Sequence, residues 1–250
     1  METVSLKTSN LSSKKIKQHD TSKILNEFTE NRFVEVMGFL ESETALKYQN
    51  FYYNEMPEDW FVLSTYPNFR EGENNALMIK SWEKELKAQA FPIAEKTFNN
   101  GDFAYHFHRT INDHSDKCYC TECEIREFFV SNEMLDFLCE ATGKHITKES
   151  GHFTSWYKKG DFLSCHHDEG NGSIAVILDF AKNWNPVFGG NLHLLEEDWV
   201  ETKKVIVPKL NNLKIFDIPE NRNGVPHFVS TVVANDIPQR KRIAFGGWYK

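Results

Sequence analysis

The period of the apolar positions changes along the chain, and that change predicts the architecture. Phe33 to Met37 reads as a short strand closed at Gly38. Glu41 or Ser42 opens a helix through about Asn54, with Ala45, Leu46, Tyr48 and Gln49 inside it, and Pro57 ends the region. Trp60 to Tyr66 is an apolar, β-rich run stopped by Pro67, followed by a polar loop from Asn68 to Asn75. Met78, Trp82, Leu86, Ala90 and Ala94 recur at helical spacing and predict one long helix from about Asn75 to Phe98, interrupted by Pro92. Phe103 to Thr110 alternates. Phe103, Tyr105, Phe107 and Arg109 share one face of that strand, and His106 and His108 the other. A polar loop runs on to Cys123, and a helix from Asn132 to Thr142 is capped by Ser131 or Asn132 and ended by Gly143.

After Lys144 the pattern is almost wholly that of strands. They are expected at His152–Tyr157, Phe162–Cys165, Ile174–Phe180, Asn191–Leu195, Lys204–Val207, Leu213–Asp217, His227–Val233 and Arg242–Tyr249. Asn171-Gly172, Gly189-Gly190, Asn211-Asn212 and Asn223-Gly224 supply turn chemistry between them. Helices followed by about eight short strands predict an α+β fold with a sandwich or jelly-roll core. We expect one domain over residues 23–250, after a disordered polar tail over residues 1–22.

Composition narrows the function. The chain has 250 residues, 40% of them hydrophobic, enough to bury a large core. A net charge of −7 argues against nucleic-acid binding. No apolar run reaches the ~18 residues of a membrane span. The N-terminus lacks the apolar segment of a secretory signal, and five Cys is an odd number, so reduced thiols and a cytoplasmic location are expected.

The chemistry centres on YKKGDFLSCHHD, Tyr157 to Asp168. His166 and Asp168 are two apart, so on an extended strand they share a face. One further His would complete a 2-His-1-carboxylate triad of the kind that suits non-haem Fe(II). His227, after the turn NRNGVP, is the best candidate, and His193 is the other downstream choice. Arg242, on the last strand, shares a face with Ala244, Gly246 and Trp248, and its guanidinium suits bidentate capture of a carboxylate.

In order, these stretches read YxxGDxLxxHxD, GGxLxLL, HxV and RxxxxGWY, and they resemble the Fe(II)/2-oxoglutarate-dependent dioxygenases, in the prolyl-hydroxylase-like branch. The resemblance covers about residues 150 to 250. It implies a double-stranded β-helix with N-terminal helices packed on it. It implies Fe(II) on His166, Asp168 and His227, 2-oxoglutarate on Arg242 with Tyr157 lining the same pocket, O2 as the second co-substrate, and release of succinate and CO2. The chain departs from the family in having Ala244 where many members have Ser or Thr, and a long stretch, including ANDIPQ, between His227 and Arg242. A second co-substrate Tyr present in some members would fall near Leu178 or Asp179. Related radical halogenases carry Gly or Ala in place of the carboxylate ligand, so Asp168 favours hydroxylation.

The layout is also similar to a group of hydroxylases and halogenases acting on free lysine and related amino acids. That similarity implies a small-molecule substrate whose ammonium meets Glu149 and Glu169, with Arg109 and Trp248 holding the carboxylate. The alternative is a hydroxylase of prolyl or other side chains in a protein or peptide. A third class is a pseudo-enzyme or metal-dependent sensor. Cys118, Cys120 and Cys123, with His114 upstream, read either as reduced surface thiols or as a structural zinc site without a clear fourth ligand.

Overall fold

Alternation along the C-terminal half produces a curled antiparallel sheet. The computed structural model describes residues 14–70, 75–111, 114, 118–220 and 224–250. In chain order the elements are α1 (Thr21–Asn31), β1 (Phe33–Met37), α2 (Ser42–Asn50), β2 (Phe61–Tyr66), β3 (Leu77–Ile79), α3 (Lys84–Asn99), β4 (Tyr105–Thr110), α4 (Thr121–Phe129) and α5 (Asn132–Thr142). The strands β5 (Glu149–Tyr157), β6 (Phe162–His166), β7 (Ile174–Asp179), β8 (Leu192–Leu195), β9 (Thr202–Ile206), β10 (Asn212–Asp217), β11 (His227–Val229) and β12 (Arg242–Tyr249) follow.

The strand order is β1-β10-β7-β12-β5-β4-β6-β11-β8-β9, with β2 and β3 added beside β4. β4 is the joint. Its His108 and Arg109 pair with β5, whereas Tyr105 and His106 pair with β6. The sheet therefore folds over itself, one arm running from β1 to β5 and the other from β6 to β9. This is the jelly-roll core with helices that the strand pattern and the resemblance led us to expect.

Two cores result from the two faces of the first arm. Ile243, Phe245 and Tyr249 of β12 pack outward against α1, α2, α4 and α5, with Phe28, Tyr48, Phe129 and Leu138. The other face turns inward, and Phe107, Tyr157, Leu192, Phe216 and Val229 fill the space between the arms.

Several expectations are corrected. The long helix begins only at Lys84, because Leu77–Ile79 pairs with β2; Met78 and Trp82, read as helix core, are exposed. Pro92 lies inside α3 without ending it. The helix opened at Ser42 passes at Phe51 into a π-helical segment that ends at Glu55. The loop reading over Thr121–Cys123 gives way to the first turn of α4, whose Glu122 is buried. The polar tail is shorter than residues 1–22. Thr21 and Ser22 already belong to α1, Ile16 bridges to Leu40, and the Lys15 and Ile16 amides both donate to Glu133, each at 2.9 Å. Residues 1–13 of that tail lie outside the described residues.

Candidate metal centre and its cavity

β6 ends at His166, and β11 opens at His227, directly opposite it in the antiparallel register. That pairing puts both imidazoles on the inner face, their ring centroids 4.3 Å apart. The chain leaving β6 brings Asp168 between them. Its Oδ1 lies 3.8 Å from His166 Nε2, and its Oδ2 lies 3.8 Å from His227 Nε2. One ligand atom from each residue falls within 4.8 Å of the others. These separations are too long for hydrogen bonds and leave space for a cation among the three donors.

The hydrogen bonds on the far side of each ring fix which nitrogen is free. His166 Nδ1 sits 3.0 Å from the Ser164 carbonyl, and His227 Nδ1 sits 2.8 Å from that of Val225. A carbonyl only accepts, so each Nδ1 carries the proton and each Nε2 keeps its lone pair for the centre. Burial, and then the neighbouring His227, hold the His166 imidazole down at about 4, so it is neutral at ordinary pH. Two imidazoles and a carboxylate on one side of the site fit Fe(II) with its remaining positions open. His193 does not take part. It lies on β8 and stacks on Phe228, centroids 4.4 Å apart.

The three residues line a mainly apolar cavity of about 620 Å³, part of it open to solvent. Arg242 and Tyr157 stand opposite each other on β12 and β5 and also line it. The buried Arg242 guanidinium lies 4.5 Å over the Tyr157 ring, and its Nε donates to the Gly190 carbonyl at 3.1 Å. Burial pushes the Tyr157 phenol up, so it stays protonated. Ala244, Gly246 and Trp248 follow Arg242 on the same face, and Gly246 and Trp248 reach the cavity. Lys214 and Arg240, the other basic residues near these strands, are engaged elsewhere: Lys214 pairs with Asp179, and Arg240 lies over Phe188.

The proposed substrate residues separate into two groups. Trp248 lines the cavity, and the Arg109 guanidinium lies 3.8 Å over the ring of Phe153, another lining residue. Arg109 Nε has no hydrogen-bond partner among the described residues. The two acids lie elsewhere. Glu169 is 66% exposed and faces His167 at 3.7 Å. Glu149 is turned away by a bulge, because Gly151 pairs with Trp248 but Glu149, not Ser150, pairs with Tyr249. It therefore joins Tyr249 on the helix side and lies 3.3 Å from His152 Nδ1. Among the described lining residues Asp168 is the one carboxylate.

The sequence reading missed a buried cluster at the start of β6. Asp161, fully buried in the turn before β6, lies 2.9 Å from both His106 Nδ1 and His108 Nδ1, and it accepts the Lys158 amide at 2.8 Å. Burial alone would raise its pKa, but the hydrogen bonds from His106 and then His108 outweigh that and hold it below the ordinary aspartate range. The signal was present in the shared face of the two histidines.

Residues 152–250 match the family model of the 2OG-Fe(II) oxygenase superfamily. No curated protein matches the chain. Among solved structures, an oxidoreductase of the 2OG-Fe(II) oxygenase family from Burkholderia pseudomallei is similar with TM-score 0.57 at 12% identity, over 95% of this chain and 93% of that one. A prolyl hydroxylase from Trichoplax adhaerens, solved with a hypoxia inducible factor peptide fragment, gives 0.55 at 18% identity, over 92% and 88%. A non-heme alpha ketoglutarate dependent epimerase, SnoN of nogalamycin biosynthesis, gives 0.52 at 8% identity, over 92% and 82%. These likenesses concern the fold.

Proposed function

Since the chain belongs, through residues 152–250, to the 2OG-Fe(II) oxygenase superfamily and is a dioxygenase using Fe(II), 2-oxoglutarate and O2, we propose that it hydroxylates an uncharged aliphatic C–H on a peptide or protein side chain, prolyl among them. When bound, the iron with its co-substrates supplies oxidative decarboxylation to succinate and CO2 coupled to C–H oxidation. His166, Asp168 and His227 hold it, with both Nε2 lone pairs and the Asp168 carboxylate directed inward. Arg242 neutralises the distal carboxylate of 2-oxoglutarate, and Tyr157 offers its protonated phenol beside that group. Leu163, Val229 and Ile177 exclude water from the reacting end.

The observation that carries the substrate reading is that Asp168 is the one carboxylate among the described lining residues. A lysine-like ammonium entering this cavity would be buried without a counter-charge, which is prohibitive. Glu149 and Glu169, the residues expected to supply one, face the helices and the solvent. The related Trichoplax prolyl hydroxylase holds a peptide fragment on the same architecture. A second reading rests on Arg109, which lies over the lining residue Phe153 and whose Nε has no hydrogen-bond partner among the described residues: a free amino acid could set its carboxylate there.

Succinate release measured against prolyl and other peptides, neutral free amino acids, lysine and ornithine separates these readings. Peptides should stimulate it. Stimulation by lysine alone would overturn the proposal, and stimulation by neutral amino acids that is lost in Arg109→Gln would favour the second reading.

A further inference from the structure

Between β4 and α4 the fold gathers a second donor set. His114 Nδ1 lies 3.5 Å from Cys118 Sγ, 3.5 Å from Cys120 Sγ and 3.3 Å from Cys123 Sγ. Cys120 Sγ and Cys123 Sγ are 3.6 Å apart. All four ligand atoms lie within 4.8 Å of one another. We propose that His114, Cys118, Cys120 and Cys123 form a structural zinc site of Cys3His type.

The distances carry this. With Zn–S near 2.3 Å and Zn–N near 2.0–2.1 Å, a tetrahedral ion sets S···S edges of about 3.8 Å and N···S edges of about 3.5 Å. The three N···S separations and the Cys120–Cys123 separation are those edges within a few tenths of an ångström, and Cys118 Sγ lies within 4.8 Å of the other two sulfurs. A disulfide does not account for them: it joins two sulfurs about 2.05 Å apart and gives the third thiol and the imidazole no reason to converge. Four ligands close the tetrahedron, as in structural rather than catalytic zinc. Soft thiolates select zinc over Fe(II) held by imidazole and carboxylate, so the chain sorts two metals by donor type.

The site has work to do in this place. Cys120 is the N-cap of α4 and makes no side-chain cap hydrogen bond, so its sulfur is free to ligate while the helix start favours its negative charge. The His114 ring packs edge-on to Trp60, centroids 4.4 Å apart, which ties the ion to the chain entering β2. From α4, buried Glu122 accepts from Tyr52 Oη at 2.8 Å and Thr154 Oγ1 at 2.9 Å, reaching into β5. The ion therefore anchors the end of β4, whose Phe107 lines the cavity, to the helix layer.

The test is metal analysis of the full-length protein purified without chelator. One zinc per chain is expected, retained when His166 and Asp168 are both changed to Ala. Cobalt substituted into that double variant should give thiolate-to-cobalt charge-transfer absorption and the visible bands of tetrahedral coordination. Cys120→Ser and His114→Ala should each lose most of the zinc and lower the melting temperature. If those variants do not fold, the wild-type zinc content and the cobalt spectrum still decide. Zinc at background in the wild-type protein, zinc lost with the iron residues, or two thiols missing from titration of the denatured, unreduced chain would each overturn the proposal.

Discussion

At the scale of single residues the centre makes demands that differ from atom to atom. His166→Ala, Asp168→Ala and His227→Ala each remove one of the three proposed donors to the ion. Each should abolish substrate-dependent succinate formation and lower iron retention, whereas His193→Ala, stacked on Phe228 outside the cluster, should keep both. Loss of activity in His193→Ala with full activity in His227→Ala would reassign the third ligand. Arg242 is proposed to bind the co-substrate, and its effect should be read there. Replacing it by Ala removes a buried guanidinium opposite a buried carboxylate, a loss of about 2–5 kcal/mol. The KM for 2-oxoglutarate should rise at least ~30-fold, at 1.4 kcal/mol per tenfold. An unchanged KM would move the role to another cation.

The elements show what was legible and what was not. Most strands after Lys144 could be read because period-2 alternation runs between Gly- or Asn-bearing turns, but the ends shift. β5 starts at Glu149 rather than His152, and β11 stops at Val229 rather than Val233. The β8–β9 connection, Glu196 to Glu201, carries neither Gly nor Asn. The cluster of His166, Asp168 and His227 could be read because HxD spacing and a late His survive any small error in strand ends. Glu149 lies away from the cavity for a local reason: the bulge opposite Trp248/Tyr249 inserts one residue and reverses its face, and nothing in the alternation announces a bulge. Glu169, after the end of β6, turns to solvent. Leu77–Ile79 failed because Met78 and Trp82 happen to fall at helical spacing while a strand partner, β2, outweighs it. The turn between β5 and β6 offers a test at this scale. Asp161→Ala strands two imidazoles and an amide, and should cost about 3–5 kcal/mol in denaturant unfolding. The folded pKa of Asp161 is lowered, so its contribution is present above the unfolded value near 4 and disappears as pH falls through the folded one. The stability gap between wild type and the isosteric Asp161→Asn should therefore be full at neutral pH and narrow on acidification below about pH 4. A gap independent of pH would show that the charge is not what stabilises the turn.

For the whole molecule, the first arm of the sheet serves two interiors at once. Ile243, Phe245 and Tyr249 hold the helices, while Arg242, Gly246 and Trp248 face the cavity, all on one strand. β5 divides its residues likewise, with Trp156 toward the helices and Phe153 and Tyr157 toward the cavity. The consequence is a kind of reading frame in the folded protein. Losing or gaining one residue in β12 exchanges the two sets wholesale, sending the guanidinium to the helix layer and phenylalanine to the co-substrate. Such a lesion cannot trade activity against stability, because it removes both together. Length changes in this strand are tolerable only in pairs, and a lineage that alters its substrate must do so in the loops and strand ends around the cavity, where no frame is kept.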